Sequence, residues 1–151
     1  MNKKIFSENC NLSSYTTIKV GGVAEYFAEP RSIDELSYLM KWANLNKKRC
    51  RIIGAGSNLL INNIFIKGLV VCTKKMKALT LEPYSGIVEA EAGVMLPTLS
   101  NTLAKNGLQG CEWAVGIPGT LGGAIYMNAG TGNLSLAKNL ISVKVINNKT
   151  N

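Results

Sequence analysis

Glycine is concentrated in two short segments of this 151-residue chain, and this distribution restricts the fold more than any other feature of the sequence. Four glycines lie within nine residues in the segment Gly116-Ile117-Pro118-Gly119-Thr120-Leu121-Gly122-Gly123-Ala124, here called the 116–124 segment. Each glycine costs about 0.5–1 kcal/mol relative to alanine in regular structure, so such a cluster needs a reason. Either backbones cross closely there, or Pro118 and Gly119 direct N–H groups at a helix start near Thr120 towards an anion.

A second glycine-containing loop follows a short apolar run at residues 51–53 that we predict to be a strand. This 54–58 loop has the sequence Gly54-Ala55-Gly56-Ser57-Asn58. Its glycines allow consecutive N–H groups to face one anion, and a pyrophosphate would fit. The usual dinucleotide fingerprint needs a third glycine where this chain has Leu59, which disfavours a Rossmann fold. Taken alone, the loop is equally compatible with a plain tight turn.

Two further segments carry polar side chains that a ligand could use. Thr17 lies in the segment 16–22, before the first clear strand, where it either binds a ligand or shapes a turn. Asn128 lies in Met127-Asn128-Ala129-Gly130, and its amide can both donate and accept hydrogen bonds. We predict that the 54–58 loop and the 116–124 segment meet in space and form one concave site lined by backbone.

Hydrophobic periodicity between these segments predicts alternating strands and helices. Residues 23–28 alternate as a strand that ends before Pro30. Ser32 and Glu35 form a capping box for a helix that ends near residues 44–46. The other predicted elements are strands at 68–72, 87–92 and 141–146, a helix that begins at Pro97 and ends at Asn106 before Gly107, and a turn at 147–151.

Composition excludes several classes of function. With 46% hydrophobic residues the chain can bury one core, and no apolar run approaches the ~18 residues of a membrane span. No histidine is present and the four cysteines form no C-x-x-C pair, so we expect no metal, no Ser-His-Asp site and no covalent flavin. The net charge of +8 suits phosphate-bearing ligands, whereas the basic runs 47–49 and 74–77 lack the interleaved aromatics of a nucleic-acid platform. We therefore expect a cytoplasmic protein that binds neither membrane nor nucleic acid.

The order and spacing of three motifs resembles the family of UDP-N-acetylenolpyruvoylglucosamine reductases. These motifs are T-T-x-x-x-G-G-x-A at 16–24, G-x-G-S-N-L-L at 54–60, and G-I-P-G-T-x-G-G-A with M-N-A-G at 116–130. The resemblance implies an α+β fold of the vanillyl-alcohol-oxidase (PCMH) type, in which two small subdomains, about 1–74 and about 75–151, clasp noncovalent FAD. It places the pyrophosphate on the 54–58 loop, and the ribitol and isoalloxazine along the 116–124 segment. The implied cofactor-binding residues are Thr17, Gly54, Ala55, Gly56, Ser57, Asn58, Leu59, Gly116, Ile117, Pro118, Gly119, Thr120, Gly122, Gly123, Ala124, Asn128, Ala129 and Gly130.

The same resemblance implies an enzyme of peptidoglycan precursor synthesis. NADPH would reduce FAD, and the flavin would pass hydride to the enolpyruvyl double bond of a UDP-sugar to give UDP-N-acetylmuramate. Members of the family are longer than this chain, and their proton-donating serine and substrate-polarising arginine and glutamate lie in the part that is absent here. We therefore expect no catalytic residue and no substrate-binding domain in residues 1–151, and an FAD cradle that is inactive alone.

Two alternatives stay open at this point. The chain could be the FAD-binding domain of another oxidoreductase of the same fold, such as an FAD-linked oxidase or the FAD subunit of a molybdenum hydroxylase. It could also be a noncatalytic module that binds phosphate ligands or nucleic acid. A downstream serine and glutamate would favour the reductase, whereas salt-dependent binding to generic DNA would favour the module.

Overall fold

A four-stranded sheet with one covering helix forms the first half of the chain. The computed structural model describes residues 5–62, 64–82 and 84–147. The strands are β1 (Ser7–Asn11), β2 (Val23–Ala28), β3 (Cys50–Ile53) and β4 (Phe65–Cys72), and helix α1 (Ile33–Leu45) connects β2 to β3. Their order in the sheet is β1-β2-β4-β3, with β1 antiparallel to β2 and the other three strands parallel. The predicted strand–helix–strand unit is therefore confirmed.

Helix α1 begins at the predicted cap. The Ser32 side chain accepts a hydrogen bond from Glu35 N at 3.2 Å, while the Glu35 carboxylate accepts from Arg31 N at 2.8 Å, one residue earlier than in a regular capping box. Leu39 and Ala43 are buried against the sheet. Ile33, the first residue of α1, is 51% exposed.

Strand β4 contains a bulge opposite β2. Ala24 pairs with Ile66 and Tyr26 with Leu69, so β4 has one extra residue in this interval. The extra residue frees the N–H of Gly68, which donates to the Glu25 carboxylate at 2.6 Å.

The second half of the chain is built from short elements. These are the antiparallel pair β5 (Leu79–Leu81) and β6 (Val88–Ala90), helices α2 (Leu96–Lys105) and α3 (Leu121–Met127), and the antiparallel pair β7 (Gly130–Thr131) and β8 (Leu134–Ser135). Strand β6 lies within the predicted strand at 87–92. Helix α2 is the helix that was predicted to begin at Pro97, although it begins one residue earlier, at Leu96. The φ angle of Gly107 is +73°, as the C′ position of α2 requires.

The buried apolar residues form three clusters. Leu69 and Val71 of β4 face α1, whereas Val70 and Cys72 face the other side of the sheet. The third cluster draws its buried residues from 94–136 alone. This distribution supports the predicted division of the chain near residue 74, which stays a prediction.

The predicted final strand at 141–146 is wrong. No strand is present between residues 139 and 147, and Ile141 and Val145 are 82% and 81% exposed. Alternating apolar residues become a strand only when they pair with a neighbour, and no strand in the described ranges pairs with this segment. The predicted turn at 147–151 lies, apart from Asn147, outside the described residues.

Candidate cofactor site

The 54–58 loop begins directly after β3, at the carboxyl ends of the parallel strands. Ligands of open α/β sheets commonly bind at this edge. Gly56 has a φ of +71°, and a Cβ atom there would lie 2.0 Å from the Tyr15 carbonyl oxygen, so only glycine fits. Thr17 N donates to Gly56 O at 3.3 Å, and Thr17 Oγ1 lies 3.5 Å from the same oxygen. The motif at 16–24 is thereby packed against the motif at 54–60.

The 54–58 loop also contacts the 116–124 segment. Ser57 Oγ donates to Pro118 O at 3.1 Å, and a Cβ atom on Gly54 would lie 2.2 Å from Thr120 Oγ1. Gly119 has a φ of +134°, and a Cβ atom there would lie 3.0 Å from Ser57 Oγ. The predicted meeting of the two segments is confirmed.

The Thr120 hydroxyl lies at this junction without a hydrogen-bond partner. Thr120 is 1% exposed, and its Oγ1 is buried and unpaired among the described residues. Although Thr120 is the N-cap residue of α3, its side chain does not cap the helix. A buried unpaired hydroxyl costs about 1–3 kcal/mol. A polar ligand that reached this oxygen would remove that cost.

The N–H groups near Thr120 are arranged differently from the prediction. One of the two alternatives predicted unpaired donors at this helix start, but Leu121 N donates to Val94 O at 2.7 Å and Gly122 N to Ala92 O at 2.9 Å. These bonds form because Thr120 and Met95 make an antiparallel bridge that brings two backbone segments together. A Cβ atom on Gly122 would lie 2.8 Å from Ala92 Cβ, so close backbone crossing explains this glycine.

Gly116 and Gly123 are not explained by protein packing. Among the described residues, an added Cβ atom would meet no atom within 4 Å at Gly116, and only Thr120 Oγ1 at 3.5 Å at Gly123. Neither residue has a positive φ. Gly123 nevertheless lies inside α3, where glycine costs about 0.5–1 kcal/mol relative to alanine. Close approach of a ligand would account for both glycines.

Several of the remaining predicted residues have local structural roles. Asn128 ends α3 with a φ of +46°, and its Oδ1 accepts from Ala137 N at 3.1 Å. Ala129 N donates to Ala124 O at 2.8 Å, and Gly130 pairs with Ser135. The side chain of Ala124 belongs to the buried core, and Ile117 packs partly against that core. Leu59 is 37% exposed, and Ala55 and Asn58 lie within the 54–58 loop. Contact between these residues and a cofactor stays a prediction.

Tyr15 lies against the 54–58 loop, a neighbour of the candidate site that the sequence did not reveal. Its carbonyl oxygen packs against Gly56, and its ring lies 4.3 Å from the Phe27 ring. Burial, and then the nearby charge of Glu29, raise the pKa of Tyr15 to about 12, so the phenol is neutral at physiological pH. Only its position directly before the two threonines of the first motif could have drawn attention to it.

The cysteine thiols are protonated at neutral pH. All four cysteines are free, and burial raises the pKa of each thiol, so the nucleophilic thiolate is disfavoured. No group of three or more potential metal ligands occurs within the described ranges. In the same part of the chain, no helix combines the length and the apolar character that crossing a membrane requires.

The sequence profile described as "FAD binding domain" matches residues 24–150, which contain both glycine segments. This chain belongs to the family of FAD-binding domains. The predicted cofactor, FAD, is thereby confirmed. The contacting glycine segments and the unpaired Thr120 hydroxyl fit an FAD group, because they offer backbone at close range and a free hydrogen-bonding atom.

Similar proteins support this assignment and define the fold. A UDP-N-acetylenolpyruvoylglucosamine reductase from Prochlorococcus marinus subsp. pastoris is 68% identical over 145 residues, which are 96% of this chain and 49% of that protein. The solved UDP-N-acetylenolpyruvylglucosamine reductase from Thermus caldophilus is 34% identical, with a TM-score of 0.65 over 87% of this chain and 46% of that one. This FAD-binding domain spans about half the length of the curated relatives that it matches.

A more distant structure shares the fold alone. The 6-hydroxy-D-nicotine oxidase from Arthrobacter nicotinovorans is 17% identical, with a TM-score of 0.52 over 62% of this chain and 20% of that one. The predicted α+β fold of the vanillyl-alcohol-oxidase (PCMH) type is confirmed.

Proposed function

We propose that this FAD-binding domain is part of a UDP-N-acetylenolpyruvoylglucosamine reductase. The enzyme would use NADPH to convert UDP-N-acetylenolpyruvoylglucosamine to UDP-N-acetylmuramate, a cytoplasmic step in peptidoglycan precursor synthesis that serves cell shape and division. The contact between Ser57 and Pro118 carries the proposal, because it unites the two glycine motifs that resemble this family. The names of relatives at 68% and 34% identity support it.

The residues of this chain would bind and orient the cofactor. The 54–58 loop would hold the pyrophosphate, and Thr120 would direct its unpaired hydroxyl to the same ligand. Gly116 and Gly123 would leave room for the flavin. Bound FAD supplies hydride transfer, and accurate positioning of its reactive atom is worth roughly 7–11 kcal/mol of the barrier.

The proton donor and the groups that polarise the substrate would lie outside residues 1–151. The positive charge of the chain, formally +8, would favour the anionic UDP-sugar and NADPH. On this proposal the chain contributes the FAD cradle and does not catalyse the reaction alone.

The test compares the 151-residue chain with the full gene product. Bound-flavin absorbance and substrate-dependent NADPH oxidation are measured for both, with UDP-N-acetylglucosamine as the control substrate that lacks the enolpyruvyl group. We expect turnover by the full product alone, and only with the enolpyruvyl sugar. Appreciable turnover by the short chain would place the proton donor within it, and a full product without this activity would overturn the proposed function.

A further inference from the structure

A cavity lined by cations lies at the end of the larger sheet opposite the 54–58 loop. It is located where β3 and β4 begin, whereas the 54–58 loop follows the end of β3. The lining includes residues of the α1–β3 connection, β4 and β2, namely Lys47, Lys48, Arg49, Phe65, Lys67 and Glu25. The FAD site therefore has no part in this cavity.

The single carboxylate of the lining does not neutralise these cations. Glu25 Oε1 accepts from Lys48 Nζ at 2.5 Å, and its Oε2 accepts from Gly68 N at 2.6 Å. The bond from Lys48, followed by that from Gly68, lowers the pKa of Glu25, so its charge is fixed and already paired. Within the described residues, no carboxylate forms a salt bridge with Lys47, Arg49 or Lys67.

The backbone holds the segments that carry these cations against each other. Leu69 N donates to Arg49 O at 2.9 Å, and a Cβ atom on Gly68 would lie 2.2 Å from the same oxygen. Arg51 Nη1 donates to Lys67 O at 2.8 Å. The bulge in β4 thus lies directly against the α1–β3 connection, and bulges are a common means of redirecting a side chain. These contacts fix the backbone of Arg49 relative to that of Lys67.

The dipole of helix α1 accounts for only part of this charge. Lys47 and Lys48 follow the C-terminus of α1, where cations stabilise the negative end of the helix. Lys67 belongs to β4, and Arg49 precedes β3 after the helix has ended. The helix dipole therefore does not explain why these two cations share the cavity.

We propose that this cavity binds a phosphate group, with Arg49 and Lys67 as its principal contacts and Lys47 beside them. The planar guanidinium of arginine matches phosphate oxygens in pairs, and lysine adds a mobile point charge. Lys48, which forms a salt bridge with Glu25, adds to the electrostatic potential of the cavity. The phosphate belongs either to a soluble diphosphate or to a phospholipid headgroup. The site is independent of the proposed reductase activity.

The test titrates the full gene product, loaded with FAD, with inorganic pyrophosphate by calorimetry and sediments it with phosphatidylglycerol vesicles. The cavity variant is Arg49→Gln/Lys67→Gln, and the control Lys77→Gln/Lys105→Gln removes the same charge from exposed positions outside the cavity. We expect the affinity for the phosphate ligand to fall about tenfold or more in the cavity variant, because hydrogen bonds between charged groups are lost. In the control variant the affinity should stay within about twofold of the parent. Flavin content should stay unchanged in both variants.

The two ligands identify the source of the phosphate. Binding of pyrophosphate indicates a soluble ligand, whereas binding to vesicles but not to pyrophosphate indicates a headgroup. Either conclusion requires that the cavity variant loses this binding and the control variant keeps it. Equal loss in both double variants, no binding to either ligand, or stronger binding to duplex DNA would overturn the proposal. Lys67→Gln alone serves if the double variant does not fold, because the Arg51 hydrogen bond uses the Lys67 carbonyl and survives the change.

Discussion

The Ser57 hydroxyl donates a hydrogen bond to the Pro118 carbonyl oxygen across 61 positions of sequence. This bond joins the 54–58 loop, which follows β3, to the glycine segment of the second half, and the two halves have separate buried cores. The affinity for a cofactor that contacts both segments depends on their relative position. Residues at this junction should therefore affect FAD binding more than they affect folding.

Replacing Ser57 with alanine removes the bond between the segments. A net hydrogen bond contributes about 0.5–1.5 kcal/mol, so we expect FAD affinity of the full gene product to fall by about 2–10-fold. Flavin fluorescence titration measures this change. Ser85→Ala is the matched control, because Ser85 bonds Glu82 in the turn between β5 and β6. Equal FAD affinity in Ser57→Ala and the parent would show that the junction does not depend on this bond.

Replacing Gly119 with valine should remove most bound flavin. A β-branched residue is strained at a φ of +134°, and its Cβ would lie 3.0 Å from Ser57 Oγ. Gly107→Val is the control, because Gly107 also has a positive φ but an added Cβ there would meet no atom of the described part of the chain within 4 Å. Flavin absorbance per protein is measured for both variants, with thermal unfolding as a check on folding. Normal flavin content in Gly119→Val would show that Gly119 shapes a turn and does not contribute to flavin binding.

The sequence predicted elements whose signals are local. Strand β2, helix α1 and helix α2 have clear periodicity with caps or terminating residues, and each formed where it was expected. Strand β1 was missed because it is a mostly exposed edge strand with polar residues and no apolar alternation. The strand predicted at 141–146 failed for the converse reason, since alternation describes the faces of a strand without supplying its partner.

The sequence predicted which segments form the candidate site, but it did not predict the individual contacts within the site. The glycine motifs indicated which stretches would meet, and the Ser57–Pro118 bond confirms that they do. The pairing of Leu121 and Gly122 with Val94 and Ala92 depends on chain crossing that no local pattern encodes. The unpaired Thr120 hydroxyl likewise appears only once the fold has buried it.

Tyr15 should influence stability at alkaline pH. Its pKa is raised from 10.0 to about 12 by burial and then by Glu29, so the folded state holds the proton more tightly than the unfolded state. The resulting stabilisation is complete below about pH 10 and is lost as pH rises towards 12. Tyr15→Phe should flatten this decline, measured as the urea midpoint over that range, whereas the exposed Tyr38→Phe should not. Parallel declines in Tyr15→Phe and the parent would contradict the prediction.

Replacing Thr120 with valine should change stability and FAD affinity in opposite directions. The hydroxyl is buried and has no partner among residues 5–62, 64–82 and 84–147, so a methyl group of similar size removes a penalty of about 1–3 kcal/mol and should raise the unfolding temperature of the FAD-free protein. The same change deletes the atom proposed to bond the cofactor, so FAD affinity should fall by about tenfold. Thr120→Ser, which keeps the hydroxyl and loses the methyl, is the control and should retain affinity while losing stability. Lower stability of Thr120→Val without FAD would mean that the hydroxyl has a partner within the protein, and unchanged affinity would remove Thr120 from the cofactor site.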